Sequence, residues 1–345
     1  MKKSSIFIAA LLLAGLVLLP LLFIPSHYSV KAFQERTGTQ YWELKTGSKI
    51  GYIKIASSQP IKKSPILYLH GGPGGVITDQ IIDALRPLAE LGHDLYFYDQ
   101  IGSGHSKRLE DISEYTVSRH QEDLYEILLK IQANQVILIG KSWGACLATN
   151  FLQNHEDKVD RLILVGPGPI LPINNKVINN QAPDSLALVA PAFSNKEGNE
   201  SAYNWRSQFV SKWAYLFQTK WATDQEMDAF FTHLNKALSQ STDCQIQPNK
   251  KQTGGGGFYS HIMTLKSLQE VENKRHLLKQ SKVPLLLLRG QCDNQKWGFA
   301  QEYLDIFPHS KLKIIEDAGH NIINSKKEEY YELIKAFLTA THLSD

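Results

Sequence analysis

The feature that most restricts this chain is a repeated alternation. From about residue 66, short apolar runs trade places with helical patterns: Ile66–Leu69, then a helix near 77–91; Asp94–Tyr98, a helix near 116–132; Val136–Ile139, a helix near 143–154; then Arg161–Val165. Runs of this length are strands, and strands separated by such helices join as βαβ units into a parallel sheet. The pattern lapses from about Gly166 to Arg275, then resumes with Pro284–Leu288, a helix near 298–306, Leu312–Ile315 and a last helix near 322–339. The expectation is a mostly parallel, eight-stranded α/β sheet with helices on both faces, its core at 41–166 and 276–345. Residues 167–275 read as an insertion into that core. Tyr41–Lys45 and Lys49–Ile55, around Thr46-Gly47-Ser48, read as an opening antiparallel hairpin.

Upstream of the hairpin, residues 6–24 are an uncharged apolar run behind Lys2 and Lys3. As a helix its 19 residues would reach about 28 Å, close to the roughly 30 Å hydrocarbon core of a bilayer. A secretory signal has a shorter apolar region and a small-residue cleavage site, for which Val30-Lys31-Ala32 is the only weak candidate. Leu16 stands where a lipobox would need cysteine, which excludes lipidation there. The reading is an N-terminal transmembrane helix within 1–25, with the N-terminus in the cytoplasm and the rest of the chain extracytoplasmic; secretion after cleavage is the alternative. Residues 26–40 read as a polar tether.

The charge balance, Lys+Arg 37 against Asp+Glu 34, excludes a nucleic-acid binder, whose footprint is a strong basic excess. No ligand cluster or phosphate loop calls for a metal or cofactor. Cys146, Cys244 and Cys292 show neither metal-binding spacing nor a disulfide framework, and an odd count leaves at least one thiol free or intermolecular. Packing is the default role for Cys292. In the insertion, Trp205, Phe209, Trp213 and Leu216 recur at helical spacing and read as a packing stripe. Gly254–Gly257 reads equally as a mobile lid segment or a plain linker.

The sharpest chemical signal is Gly140-Lys141-Ser142-Trp143-Gly144, a G-x-S-x-G between a strand and a helix. Such a turn holds the serine in strained dihedrals above the sheet, and the helix N-terminus favours a developing oxyanion. A serine needs a base, and the base an orienting acid, in this architecture in the order Ser, acid, His. Asp293 and His320 both follow strand ends, on the edge where Ser142 stands. Glu316 and Asp317 are rival acids on the strand end of His320 itself. His70, His105 and His120 are lesser base candidates, each more simply structural. His70-Gly71-Gly72-Pro73-Gly74-Gly75 follows another strand, so the N–H groups of Gly72 and Trp143 are the candidate oxyanion donors. Pro73 is a candidate for a cis peptide bond.

With HGGPGG at 70–75, YDQIGSGHS at 98–106, GKSWGACLA at 140–148, Asp293 and AGH at 318–320, the chain resembles the proline iminopeptidase family of α/β-hydrolases. The resemblance implies a cofactor-independent serine peptidase that removes an N-terminal residue, often proline, from short peptides through an acyl-enzyme. It makes the insertion the family's helical cap and Gly71, Pro73 and a cap carboxylate, with Glu226 nominated, the substrate-binding set. Ile101 and His105 stand where the family usually has arginines, and no cap tryptophan is followed by glutamate. The rival readings are a carboxylesterase or amidase on apolar acyl substrates, and an inactive binding protein.

Overall fold

Alternate residues of the central strands face opposite ways, and this builds the core of the computed structural model, which describes residues 23–245 and 254–340. Leu67, Leu69 and Leu138 enter one apolar cluster, while Ile66, Tyr68, Ile137 and Ile139 enter the other. Period-two burial on both faces is what a parallel sheet covered by helices on each side requires.

The strands are β1 (Gln40–Glu43), β2 (Lys49–Ile55), β3 (Ile66–Leu69), β4 (Leu95–Tyr98), β5 (Val136–Lys141), β6 (Val159–Val165), β7 (Leu285–Gly290) and β8 (Ser310–Ile315). They form one sheet in the order β1-β2-β4-β3-β5-β6-β7-β8. β1 and β2 are the expected antiparallel hairpin and β2 meets β4 antiparallel; every pairing from β4 to β8 is parallel. The helices of the core are α1 (Asp79–Leu85), α2 (Val117–Ile131) and α3 (Trp143–Asn154). Between β6 and β7 come α4 (Asn195–Ala202), α5 (Trp205–Phe217), α6 (Asp224–Leu238), α7 (Phe258–Ser267) and α8 (Arg275–Leu278), followed by α9 (Trp297–Ile306) and α10 (Lys327–Thr339). Residues of α1 and α10 cover one face of the sheet; those of α2, α3, α9 and the helices inserted after β6 join the cluster on the other.

Residues 6–22 of the apolar N-terminal run lie outside the described residues, so the transmembrane expectation is untouched by the fold; among the described residues no helix is long and apolar enough to cross a membrane. Residues 26–37, expected to be a tether, run as an ordered strap. The Ser26 N–H donates to Glu226 Oε1 at 2.9 Å, Tyr28 packs on Phe230 and His233, and Phe33 meets His105 edge-on. Arg36 ties the strap to the core through Asp79 and the Ile77 carbonyl. Its polar composition hid this, because most of these contacts use backbone atoms or single aromatic rings.

Two further expectations are refined. The stripe on α5 is divided: Phe209 packs against the apolar core as expected and Trp213 is half-buried, while Trp205 and Leu216 are exposed; the fully buried positions of the helix are Arg206, Ser207, Val210, Ser211 and Ala214. Gly254–Gly257 is neither lid nor loose linker, for all four are buried. The Gly257 N–H donates to the Gly74 carbonyl and the Gly104 N–H to the Gly255 carbonyl, and a Cβ on Gly257 would stand 1.7 Å from the Gly102 carbonyl oxygen. Two backbones meet there at a distance only glycine permits.

Candidate active site

Ser142 sits between the end of β5 and the start of α3 with φ 54° and ψ −116°, a strained conformation for a residue with a side chain. The flanking glycines make the turn possible. A Cβ on Gly140 would stand 2.5 Å from the Gly144 carbonyl oxygen, and one on Gly144 would stand 2.0 Å from that of Leu69 on β3. The Ser142 N–H is held by the Val165 carbonyl of β6. Trp143 is the first residue of α3, so its N–H has no intrahelical acceptor.

The glycine loop after β3 lies against this turn. A Cβ on Gly71 would come within 3.1 Å of the Ser142 Cβ and 3.8 Å of its Oγ, and the Gly72–Pro73 bond is cis. His70, Gln100 and Trp143, one from each sequence motif, form a single buried network. His70 Nε2 accepts the Gln100 N–H at 2.9 Å, the Gln100 side-chain amide donates to the His70 carbonyl, and the Trp143 indole N–H donates to Gln100 Oε1 at 2.8 Å. The other ring nitrogen, Nδ1, bonds the Gly71 carbonyl, and burial lowers the imidazole pKa, so His70 is a neutral structural group. Sequence reasoning missed Gln100 as the link that joins the HGG, DQ and SW motifs in this chain.

His320 and Asp293 meet across the ends of β7 and β8, with Nδ1 and Oδ1 at 2.9 Å. Oδ1 also accepts the Gln295 N–H. Burial acts to raise the Asp293 carboxyl, but His320, Arg289 and the Gln295 N–H outweigh it and hold the group below its ordinary value. Arg289 fixes the loop by donating to the carbonyls of Asp293 and Gln295. A carboxylate kept ionised against Nδ1–H leaves the imidazole Nε2 as the basic nitrogen. Asp317 instead turns its carboxylate to Lys326 at the surface. His105 donates Nδ1–H to Asp99 and accepts the Arg36 N–H on Nε2, while His120 bonds the Thr264 hydroxyl and is pushed down to about 3 by burial.

The loops carrying Asp293 and His320 are clamped by the segment that ends the stretch after α6. Thr242 receives the Asn321 N–H and side-chain amide, Asp243 bonds Asn324, and Ser241 bonds Asn294. Cys244 closes the clamp through a disulfide to Cys292, leaving Cys146 the free, buried thiol. Cys292 is therefore a cross-link rather than packing. Nothing in the spacing of three cysteines distinguishes which two pair.

Of the other nominated residues, Pro73 offers its carbonyl to the half-buried His261 of α7 at 2.9 Å. Glu226, on α6, is gripped by Arg206 of α5 through two bonds of 2.5 and 2.8 Å, and by the Ser26 N–H. Burial acts to raise that carboxyl, while Arg206 and the amide hold it low.

The family model described as the alpha/beta hydrolase fold matches residues 64–326. The proline iminopeptidase of Lactobacillus delbrueckii subsp. bulgaricus is 34% identical over 300 residues, covering 83% of this chain and 93% of its own. The proline iminopeptidase of Saccharolobus solfataricus is 26% identical over 281 residues, covering 79% and 84%. Among solved structures, an esterase from Exiguobacterium antarcticum matches with TM-score 0.57 at 20% identity, over 87% of this chain and 99% of that one. The proline iminopeptidase of Mycobacterium smegmatis matches with TM-score 0.56 at 17%, over 87% and 97%. The chain is a hydrolase that belongs to the α/β-hydrolase family and, within it, to the proline iminopeptidase-like proteins.

Proposed function

We propose that this hydrolase is an aminopeptidase that releases the N-terminal residue, proline among the residues accepted, from short peptides. His320, oriented by Asp293, takes the proton of Ser142 as Oγ attacks the scissile carbonyl, and the N–H groups of Gly72 and Trp143 receive the oxyanion. The proton passes from His320 to the leaving amine. Water, deprotonated by the same imidazole, then cleaves the acyl-enzyme and restores the serine. The observation that carries this reading is the 2.9 Å His320–Asp293 pair on the sheet edge that presents the strained Ser142 turn. The identity to curated proline iminopeptidases supports the choice of peptide substrate.

The second reading, an esterase or amidase on apolar acyl groups, is favoured by one observation: Glu226, the nominated partner for a substrate ammonium, is committed to Arg206. Turnover of proline arylamide, other aminoacyl arylamides and a butyrate ester, with Ser142→Ala as control, decides between them. A large advantage in kcat/KM for the free-amine arylamides sustains the aminopeptidase; turnover of the ester alone moves the function to the esterase. Failure of Ser142 to label with a fluorophosphonate overturns both.

We also propose that residues 6–24 anchor the chain, with the catalytic domain extracytoplasmic. The Cys244–Cys292 disulfide supports that side of the membrane, because such bonds persist in oxidising compartments.

A further inference from the structure

We propose that the outward face of α5 is a membrane-docking surface, so that the enzyme rests with its cap against the lipid bilayer instead of standing away from it on a tether. The inference rests on the anchor reading above and adds an orientation to it.

The outward residues of α5 are large and apolar, and they are exposed: Trp205 56%, Tyr215 49%, Leu216 67% and Phe217 57%. Half-buried rings beneath them join Phe217 into an aromatic cluster of tilted and edge-on contacts. Trp213 lies 4.4 Å from Phe217 and 4.6 Å from Trp221, and Phe209 meets Trp221 edge-on. Exposed apolar patches of this kind mark protein or membrane contacts, and tryptophan and tyrosine in particular collect at the level of lipid headgroups. Lys212 is exposed beside the patch, and Lys266 lies with its ammonium over the Tyr215 ring, cations of the kind that attract anionic headgroups.

What selects lipid over another occupant is where the N-terminal run leaves the domain. Near its end, Phe23 is on this face, its ring 5.2 Å from that of Trp221. Three residues on, Ser26 is fixed to Glu226, and Tyr28 is wedged between Phe230 and His233. The exit point therefore cannot swing free of the cap. A span ending at Phe23 brings the bilayer surface to the aromatic cluster, since the ring beside the exit is itself part of that cluster.

The experiment uses the full chain reconstituted into phosphatidylcholine and phosphatidylglycerol vesicles, with tryptophan emission read against lipids brominated on their acyl chains. Brominated lipid should quench the wild type. In a Trp205→Phe/Trp213→Phe variant the quenching should fall by about two thirds, as two of the three tryptophans on the face are gone. A Leu216→Asp/Phe217→Asp variant should still float with the vesicles after alkaline extraction, yet show tryptophans newly open to aqueous acrylamide. A wild-type chain that floats but is unquenched by brominated lipid and fully open to acrylamide would overturn the docking while keeping the anchor. Equal shielding of Trp205 and Trp213 in lipid-free detergent would overturn it in favour of a second copy or residues 1–22 as the cover. A chain that does not float at all sinks the anchor and the docking together.

Discussion

Helices α2 and α5 are of similar length and each carries an apolar stripe, but they use it differently. On α2, Val117, Leu124, Ile127 and Leu128 face inward onto the sheet. On α5, Trp205, Tyr215 and Phe217 face out, Phe209 packs in part against the core, and the fully buried side is made of Val210, small residues and Arg206. The difference lies in the partner. The sheet offers α2 an apolar surface, whereas α5, which packs along α7, also meets the carboxylate of Glu226 on α6, which must be matched by a cation when buried. Periodicity thus identifies residues that share a face; what that face meets is decided by the chemistry of the element opposite.

The largest effect that sharpens this division of core and cap is on chemistry. Ser142→Ala should lower kcat by roughly 10⁴-fold or more while leaving the thermal midpoint unchanged, because the residue belongs to the core's site and not to its packing. Retention of turnover within tenfold would remove Ser142 from the mechanism. Next, Glu226→Gln should cost about 3–5 kcal/mol in urea unfolding by leaving the Arg206 guanidinium buried without its carboxylate. The Arg206→Met/Glu226→Leu double variant should recover most of that loss, and an equal or greater loss in the double would show that the pair acts other than by charge.

Cys244→Ser should lower stability by up to about 4 kcal/mol on the chain-entropy view, the cross-link spanning a sequence separation of 48 residues. Wild type under reductant should fall to the level of the variant; a reductant effect that persists in the variant would place it elsewhere. Acid should act on the core. Asp99 is buried, and although burial raises its carboxyl, the His105 side chain and the backbone N–H groups of His105 and Ile77 hold it below its ordinary value. Asp293 is shifted in the same direction. Carboxyls with depressed folded values contribute stability above the unfolded pKa, about 4, and lose it as pH falls through the folded values. The buried neutral His70 and His120, held below the unfolded histidine value of about 6.5, contribute stability that is lost as pH falls below that value, so the thermal midpoint should be flat only above about pH 7, decline below about pH 6.5 and drop further below about pH 4, with Asp99→Asn flattening part of the last drop. The smallest effect is on the outward face: Phe217→Ser in detergent should change stability by no more than about 0.5 kcal/mol, despite removing a large apolar side chain. A loss several times larger would mean that α5 is packed on both sides.

How far the sequence foretold this follows the same physical line. The parallel strands were legible because burial on both faces makes them short, uniformly apolar runs, and Asp293 and His320 could be nominated as a pair because successive parallel strands end on one edge. The disulfide was not legible, since Cys244 and Cys292 meet through tertiary placement alone. The strap from Ser26 to Arg36 was hidden because its polar composition resembles a linker while its anchoring uses amide groups and isolated rings. Glu226 could be nominated from its residue type, but only the fold brings Arg206 against it.

The seam at Gly254–Gly257 bears on how such an enzyme can change. With the Gly102 carbonyl only 1.7 Å from where a Cβ on Gly257 would lie, any replacement there would have to push apart the loops that adjoin the site. A search for altered substrate preference is therefore better aimed at the helices of the insertion, randomised in a library, than at this seam, which tolerates no added side chain at Gly257.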